Sequence, residues 1–278
     1  MKLKLSCADF TFPLLPHDHV LDLIGHLKVQ GVDIGVLGGR SHLRPENIIK
    51  DVSGFAHDLS MKTQDRGLEV ADIFLIPGAF EYLAPNHPDA KERRKSREMF
   101  LRILEFTSRC NGHHMTGLPG TPWEGEPIAM SVNRCSEELL WRVERARDLG
   151  ITFSVEPHIG SVTPTPKEAL RLVKMTPGLT LTLDYGHFTR VGLPDSQVEP
   201  LVAYASHFHV RGAYKGRLQS TFKDNIIDYK RILKAMKKNN YLGYLALEYV
   251  WIDWEHCNET DNLSETILFR DFLKSVKL

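Results

Sequence analysis

Short apolar runs alternate with amphipathic stretches along nearly the whole chain. Eight runs have the length and composition of buried strands: KLKLSC (2–7), VDIGVLG (32–38), VADIFLIPG (70–78), HHMTGLPG (113–120), ITFSVEP (151–157), LTLTLDYG (179–186), SHFHVRG (206–212) and YLALEYV (244–250). Between them lie helical patterns. HVLDLIGHLKVQG (19–31) stops at a glycine, and residues 89–112 are highly charged with one apolar face. CSEELLWRVERARDLG (135–150) predicts a helix capped by Ser136 and closed by Gly150. Asp228 precedes YKRILKAMKKNN, and Leu263 precedes SETILFRDFLKSVKL.

Alternating strands and helices imply parallel strands joined by right-handed crossovers. Eight such units predict a closed (β/α)8 TIM barrel as one domain over residues 1–278. A doubly wound open sheet is the alternative, but no GxGxxG follows the first strand. The stretches 78–89 and 119–127 predict long loops after the third and fourth strands. Their aromatics, Phe80, Tyr82 and Trp123, are placed to wall or cover a site.

Composition narrows the function. Lys+Arg and Asp+Glu both number 35, so the formal charge is zero, which argues against a phosphate-tracking surface for DNA or RNA. Polar residues Ser6, Asp9 and Thr11 interrupt the start of the chain as a signal peptide, and no run is long and apolar enough to span a membrane. The four cysteines, Cys7, Cys110, Cys135 and Cys257, are far apart with no CxxC pair, which suits reduced thiols in a cytoplasmic protein.

In a parallel barrel, chemistry gathers at the C-terminal ends of the strands. The fifth strand ends in Glu156 and His158. The sixth ends in Asp184, followed by Gly186, which allows a turn, and His187. The seventh carries His207 and His209, and the eighth ends in Glu248. Three carboxylates converging there repel one another unless a cation sits among them. Three oxygen ligands and one imidazole suit one divalent ion such as Mn2+, Mg2+ or Co2+. His207 and His209 share a strand face, so either can be a core histidine. His209, nearer the strand end, is the better ligand.

The motifs SVEPHIGS, LTLDYGHF, HFHVRGAYKGRLQ and LALEYV resemble the xylose isomerase-like, or sugar phosphate isomerase/epimerase, TIM barrels. The resemblance is clear over about residues 150–250. It implies Glu156, Asp184, His209 and Glu248 as metal ligands and His187 as a substrate contact. It also implies Glu156 and Glu248 as the catalytic pair that moves a proton on the two faces of a sugar. Arg211, Lys215 and Arg217 follow the seventh strand, where the family's epimerases hold substrate with a basic residue. The implied activity is metal-dependent isomerisation or epimerisation of a keto-sugar or keto-polyol in carbohydrate metabolism. A dehydratase acting on a keto-inositol or 3-keto sugar would use the same cluster. Trp123, Trp251 and Trp254 are candidates to stack on a sugar ring. An endonuclease IV-type repair enzyme needs further ligands, including histidine after the seventh strand, and LQSTFKDNIIDY has none. A sugar-binding barrel without activity is disfavoured because every ligand position is filled. A small carbohydrate is the expected partner, with no nucleic acid and no membrane, and family analogy suggests a homodimer or homotetramer.

Overall fold

A computed structural model of the chain describes residues 3–277, so Lys2 of the first expected strand and Leu278 of the last expected helix lie outside it. Ten strands form. They are β1 (Lys4–Ala8), β2 (Gly31–Leu37), β3 (Glu69–Ile76), β4 (His114–Gly117), β5 (Thr152–Val155), β6 (Thr180–Asp184), β7 (Ala205–Val210), β8 (Gly212–Tyr214), β9 (Arg217–Ser220) and β10 (Tyr244–Leu247). Eight close into a parallel barrel in the order β1-β10-β7-β6-β5-β4-β3-β2, with helices between strands, so the fold is the expected (β/α)8 barrel. Both faces of each barrel strand are covered, one by helices and one by the interior. That is why the strands read as continuous apolar runs; all seven residues of β2 are buried.

The seventh strand is followed by a feature the apolar pattern does not announce, an antiparallel hairpin of β8 and β9. Gly216, at φ +88°, makes its turn. The helix expected from Ser136 instead runs from Ile128 to Arg147, with Pro127 at its N-cap. Ser136 lies inside that helix, where its hydroxyl donates to the Met175 carbonyl at 3.0 Å and accepts from Thr176 Oγ1. Its value as a tertiary contact outweighs its capping propensity. Asp228 does cap the helix Tyr229–Lys238 by accepting from Arg231 N, and Asp261 caps Asn262–Ser275. Two further helices, Val52–Gln64 and Pro166–Met175, start from Asp51 and Thr165 caps.

The barrel interior is not simply aliphatic. Thr116, Ser154 and Thr182 hydroxyls hydrogen-bond to one another from β4, β5 and β6. Deeper, His207 Nε2 lies 2.6 Å from Asp33 Oδ2, and His114 bridges Asp72 Oδ1 and Ser206 Oγ at 2.7 Å each. Buried polar groups persist only when paired in this way.

Candidate active site

The strand register decides which side chains meet. Asp184 at the end of β6 lies in register with His209 on β7, and His209 in register with Ala246 on β10. One residue beyond β5 and β10, the Glu156 and Glu248 amides bond the Gly117 and Val210 carbonyls of the neighbouring strands. These last backbone bonds bring both carboxylates to the depth of His209. Gly186 opens the short helix Gly186–Thr189. Its φ is ordinary, and a Cβ there would meet Asp184 Oδ1 at 2.9 Å. Glycine is thus required for close approach rather than for turning. The Gly186 N–H donates to Asp184 Oδ1 at 2.7 Å, and His187 returns toward the same centre.

The cluster is buried throughout. His209 Nδ1 is 2.6 Å from Glu156 Oε1 and 3.4 Å from Glu248 Oε2. His187 Nε2 is 3.7 Å from both Glu156 Oε2 and Asp184 Oδ2. Arg211 Nη2 donates to Asp184 Oδ2 and lies 3.4 Å from Glu248 Oε2. Six expected site residues therefore meet: Glu156, Asp184, His187, His209, Arg211 and Glu248. Two do not. Arg217 Nη1 pairs with Glu259 Oε2 at 2.9 Å, and the Lys215 stem lies over Gly192. The hairpin turns both away from the cavity above the cluster. His207 belongs to the interior pair with Asp33.

These neighbours set the protonation states. Burial disfavours charge on His209, yet Glu248 and Glu156 outweigh it and raise the imidazole to about 10. Burial alone would raise Glu156, but His209 and His187 hold it well below the usual carboxylate range. Glu248 goes the other way. Burial raises it, and Arg211 and His209 only partly compensate. Burial, then the charge of His187, lowers His158 to about 4.

The donors fit a divalent ion. Ligand atoms of Glu156, His209 and Glu248 lie within 4.8 Å of one another, as do those of Glu156, Asp184 and His187, so Glu156 is common to both sets. Glu248 Oε2 is buried without a hydrogen-bond partner among the described residues, as an oxygen awaiting a cation would be. A third set, Asp33, Asp72, His207 and His209, lies deeper. Sequence reasoning passed over Asp33, Asp72 and His114 because each sits within or beside an apolar strand. An aspartate inside VDIGVLG and another inside VADIFLIPG were the available signal.

Above the cluster opens a cavity of about 700 Å³ reached by Glu156, His187, Arg211 and Glu248. Phe80, Trp251 and Trp254 line it, as do His158 and the loop residues Arg40, His42 and Arg44. Tyr82 and Trp123 do not. Trp123 packs edge-on against His87, with ring centroids 4.5 Å apart. All four cysteines are free and buried. No helix among the described residues is long and apolar enough to cross a membrane.

The chain is 21% identical over 230 residues to an inosose dehydratase of Clostridium perfringens, covering 70% of this chain and 75% of that one. Its fold matches D-psicose 3-epimerase, crystallised in the presence of D-fructose, at a TM-score of 0.80 and 15% identity, with 98% of both chains covered. It also matches a TIM barrel protein from Mycobacterium smegmatis in complex with magnesium, at a TM-score of 0.73 and 14% identity over 98% of this chain and 95% of that one. The pattern that defines xylose isomerase-like TIM barrels matches residues 23–273, and the chain belongs to that family.

Proposed function

We propose that this protein is a divalent-metal-dependent sugar isomerase or epimerase that moves a proton α to the carbonyl of a keto-sugar or keto-polyol. The observation that carries this is the convergence of Glu156 and Glu248 on His209 beneath an open cavity. Their surroundings push the two carboxyls in opposite directions, Glu156 down and Glu248 up. These directions hold in the metal-free protein and make Glu156 the readier base. Glu156, ionised, takes the α-proton, and Glu248 supplies one to the other face of the carbon. Glu156, Asp184, His209 and Glu248 would hold the metal. When bound, it stabilises the negative charge that develops on the carbonyl and adjacent hydroxyl oxygens. His187 contacts a substrate oxygen, and Arg211 keeps Asp184 oriented through their ion pair.

A dehydratase is the second reading, favoured by the similarity to an inosose dehydratase. Loss of a β-hydroxyl after the same proton abstraction would give it. The test is incubation with ketoses and keto-inositols in D2O. Deuterium at the α-carbon without loss of water identifies the isomerase or epimerase, and loss of water identifies the dehydratase. Failure of every substrate to exchange its α-proton in the metal-supplemented protein would remove both.

A further inference from the structure

The cavity has two chemically different ends. Its floor is the carboxylate cluster. Its rim carries Arg40 and Arg44, both from the loop after β2. Arg40 is accessible yet lies in a concave setting. Burial lowers its basicity, while Glu248 and Glu156 support its charge. Neither Arg40 nor Arg44 makes a side-chain hydrogen bond or an ion pair among the described residues; the cavity's other arginine, Arg211, is committed to Asp184. One rim acid, Glu81, is present and pairs with neither of them.

The loop that carries Arg40 is built rather than loose. Ser41 Oγ accepts from Leu37 N at 2.8 Å and donates to the Leu37 carbonyl at 2.9 Å. The Gly38 N–H donates to the Ile76 carbonyl at 2.8 Å, and a Cβ on Gly38 would fall 2.0 Å from the Pro77 carbonyl oxygen. Gly39 takes φ +79°, which favours glycine. A guanidinium carried by a pinned loop, facing a cavity and lacking an internal partner, is free to pair with an external anion.

Building on the proposed proton-transfer reading, we propose that Arg40, assisted by Arg44, binds an anionic group on the substrate, which is therefore an acidic keto-polyol bearing a carboxylate or a phosphate. The carbonyl end lies at Glu156 and Glu248, and the anion at the β2 loop. Neither guanidinium makes an internal hydrogen bond or ion pair among the described residues, so Arg40→Ala and Arg44→Ala should fold as the parent does, which melting curves check.

The test is calorimetric binding of two matched pairs, D-gluconate against D-glucitol and D-fructose 6-phosphate against D-fructose. A charge-assisted contact predicts about 10- to 100-fold tighter binding of the anionic member in at least one pair. The pair that shows it separates carboxylate from phosphate. The preference should vanish in the Arg40→Ala, Arg44→Ala double variant, while any neutral-polyol affinity is unchanged. No preference in the parent, or a preference that survives both substitutions, overturns the proposal. The readout is independent of turnover. Arg40-dependent anion binding together with failure of every ketose and keto-inositol to exchange its α-proton would sink the proton-transfer reading and leave the anion site standing.

Discussion

At the proposed metal site, binding of an ion would be coupled to the proton on His209. Without a cation, the charges of Glu248 and Glu156 hold the His209 imidazole protonated up to about pH 10. A metal ligand must be neutral, so the ion has to displace that proton. At pH 7 the displacement spans about three pH units below 10, at about 1.36 kcal/mol each, or about 4 kcal/mol taken from the intrinsic affinity. Raising the pH from 6.5 to 8.5 should therefore tighten binding about 100-fold, with one proton released per ion. Glu156 is already ionised and adds nothing, whereas the raised Glu248 steepens the slope at the acid end. The assay is Mg2+ or Mn2+ titration calorimetry in buffers of differing ionisation enthalpy, which counts protons directly. An affinity that changes less than about threefold over those two units, with a proton count near zero, would refute His209 as a ligand whose proton the metal replaces.

Four further outcomes follow from particular contacts. His209 is raised relative to its unfolded value, so its contribution to the metal-free protein is present below about pH 6.5 and lost as pH climbs through about 10. The urea midpoint should fall over that window, and His209→Gln should flatten the fall. Glu248→Gln should lower kcat at least about 100-fold with the fold intact by circular dichroism, since it removes a proton donor; wild-type turnover would exclude the two-carboxylate mechanism. Asp184→Ala should reduce bound metal measured by elemental analysis, and full stoichiometry would remove Asp184 from the ligand set. Glu138→Ala strips the carboxylate that accepts from Arg97 and from buried Arg142, and urea unfolding should register a loss of about 3 kcal/mol.

Alternation of strand and helix was legible because the two have different apolar periods, and a chain of this length with eight apolar runs has few ways to bury them. The cluster was legible for a related reason. At the end of a parallel strand the pattern breaks from apolar to polar, and Glu156, Asp184, His209 and Glu248 stand at four such breaks. What local pattern determined, then, was the barrel, the carboxylate and imidazole side chains of the cluster and the end of the barrel where they gather.

Tertiary structure decided the rest, because those features depend on contacts between distant segments. Lys215 and Arg217 follow the seventh strand directly, but the β8–β9 hairpin carries them outward, and Arg217 finds Glu259, 42 positions away in sequence. Arg40 is remote from every motif, yet closure of the barrel brings the β2 loop over Glu156 and Glu248. Asp33 and Asp72 read as interruptions of apolar strands until His207 and His114 arrive from across the interior to pair with them. A strand's own sequence specifies which side chains it exposes to the interior. Which partners those side chains meet is settled only when register and closure bring the other strands alongside.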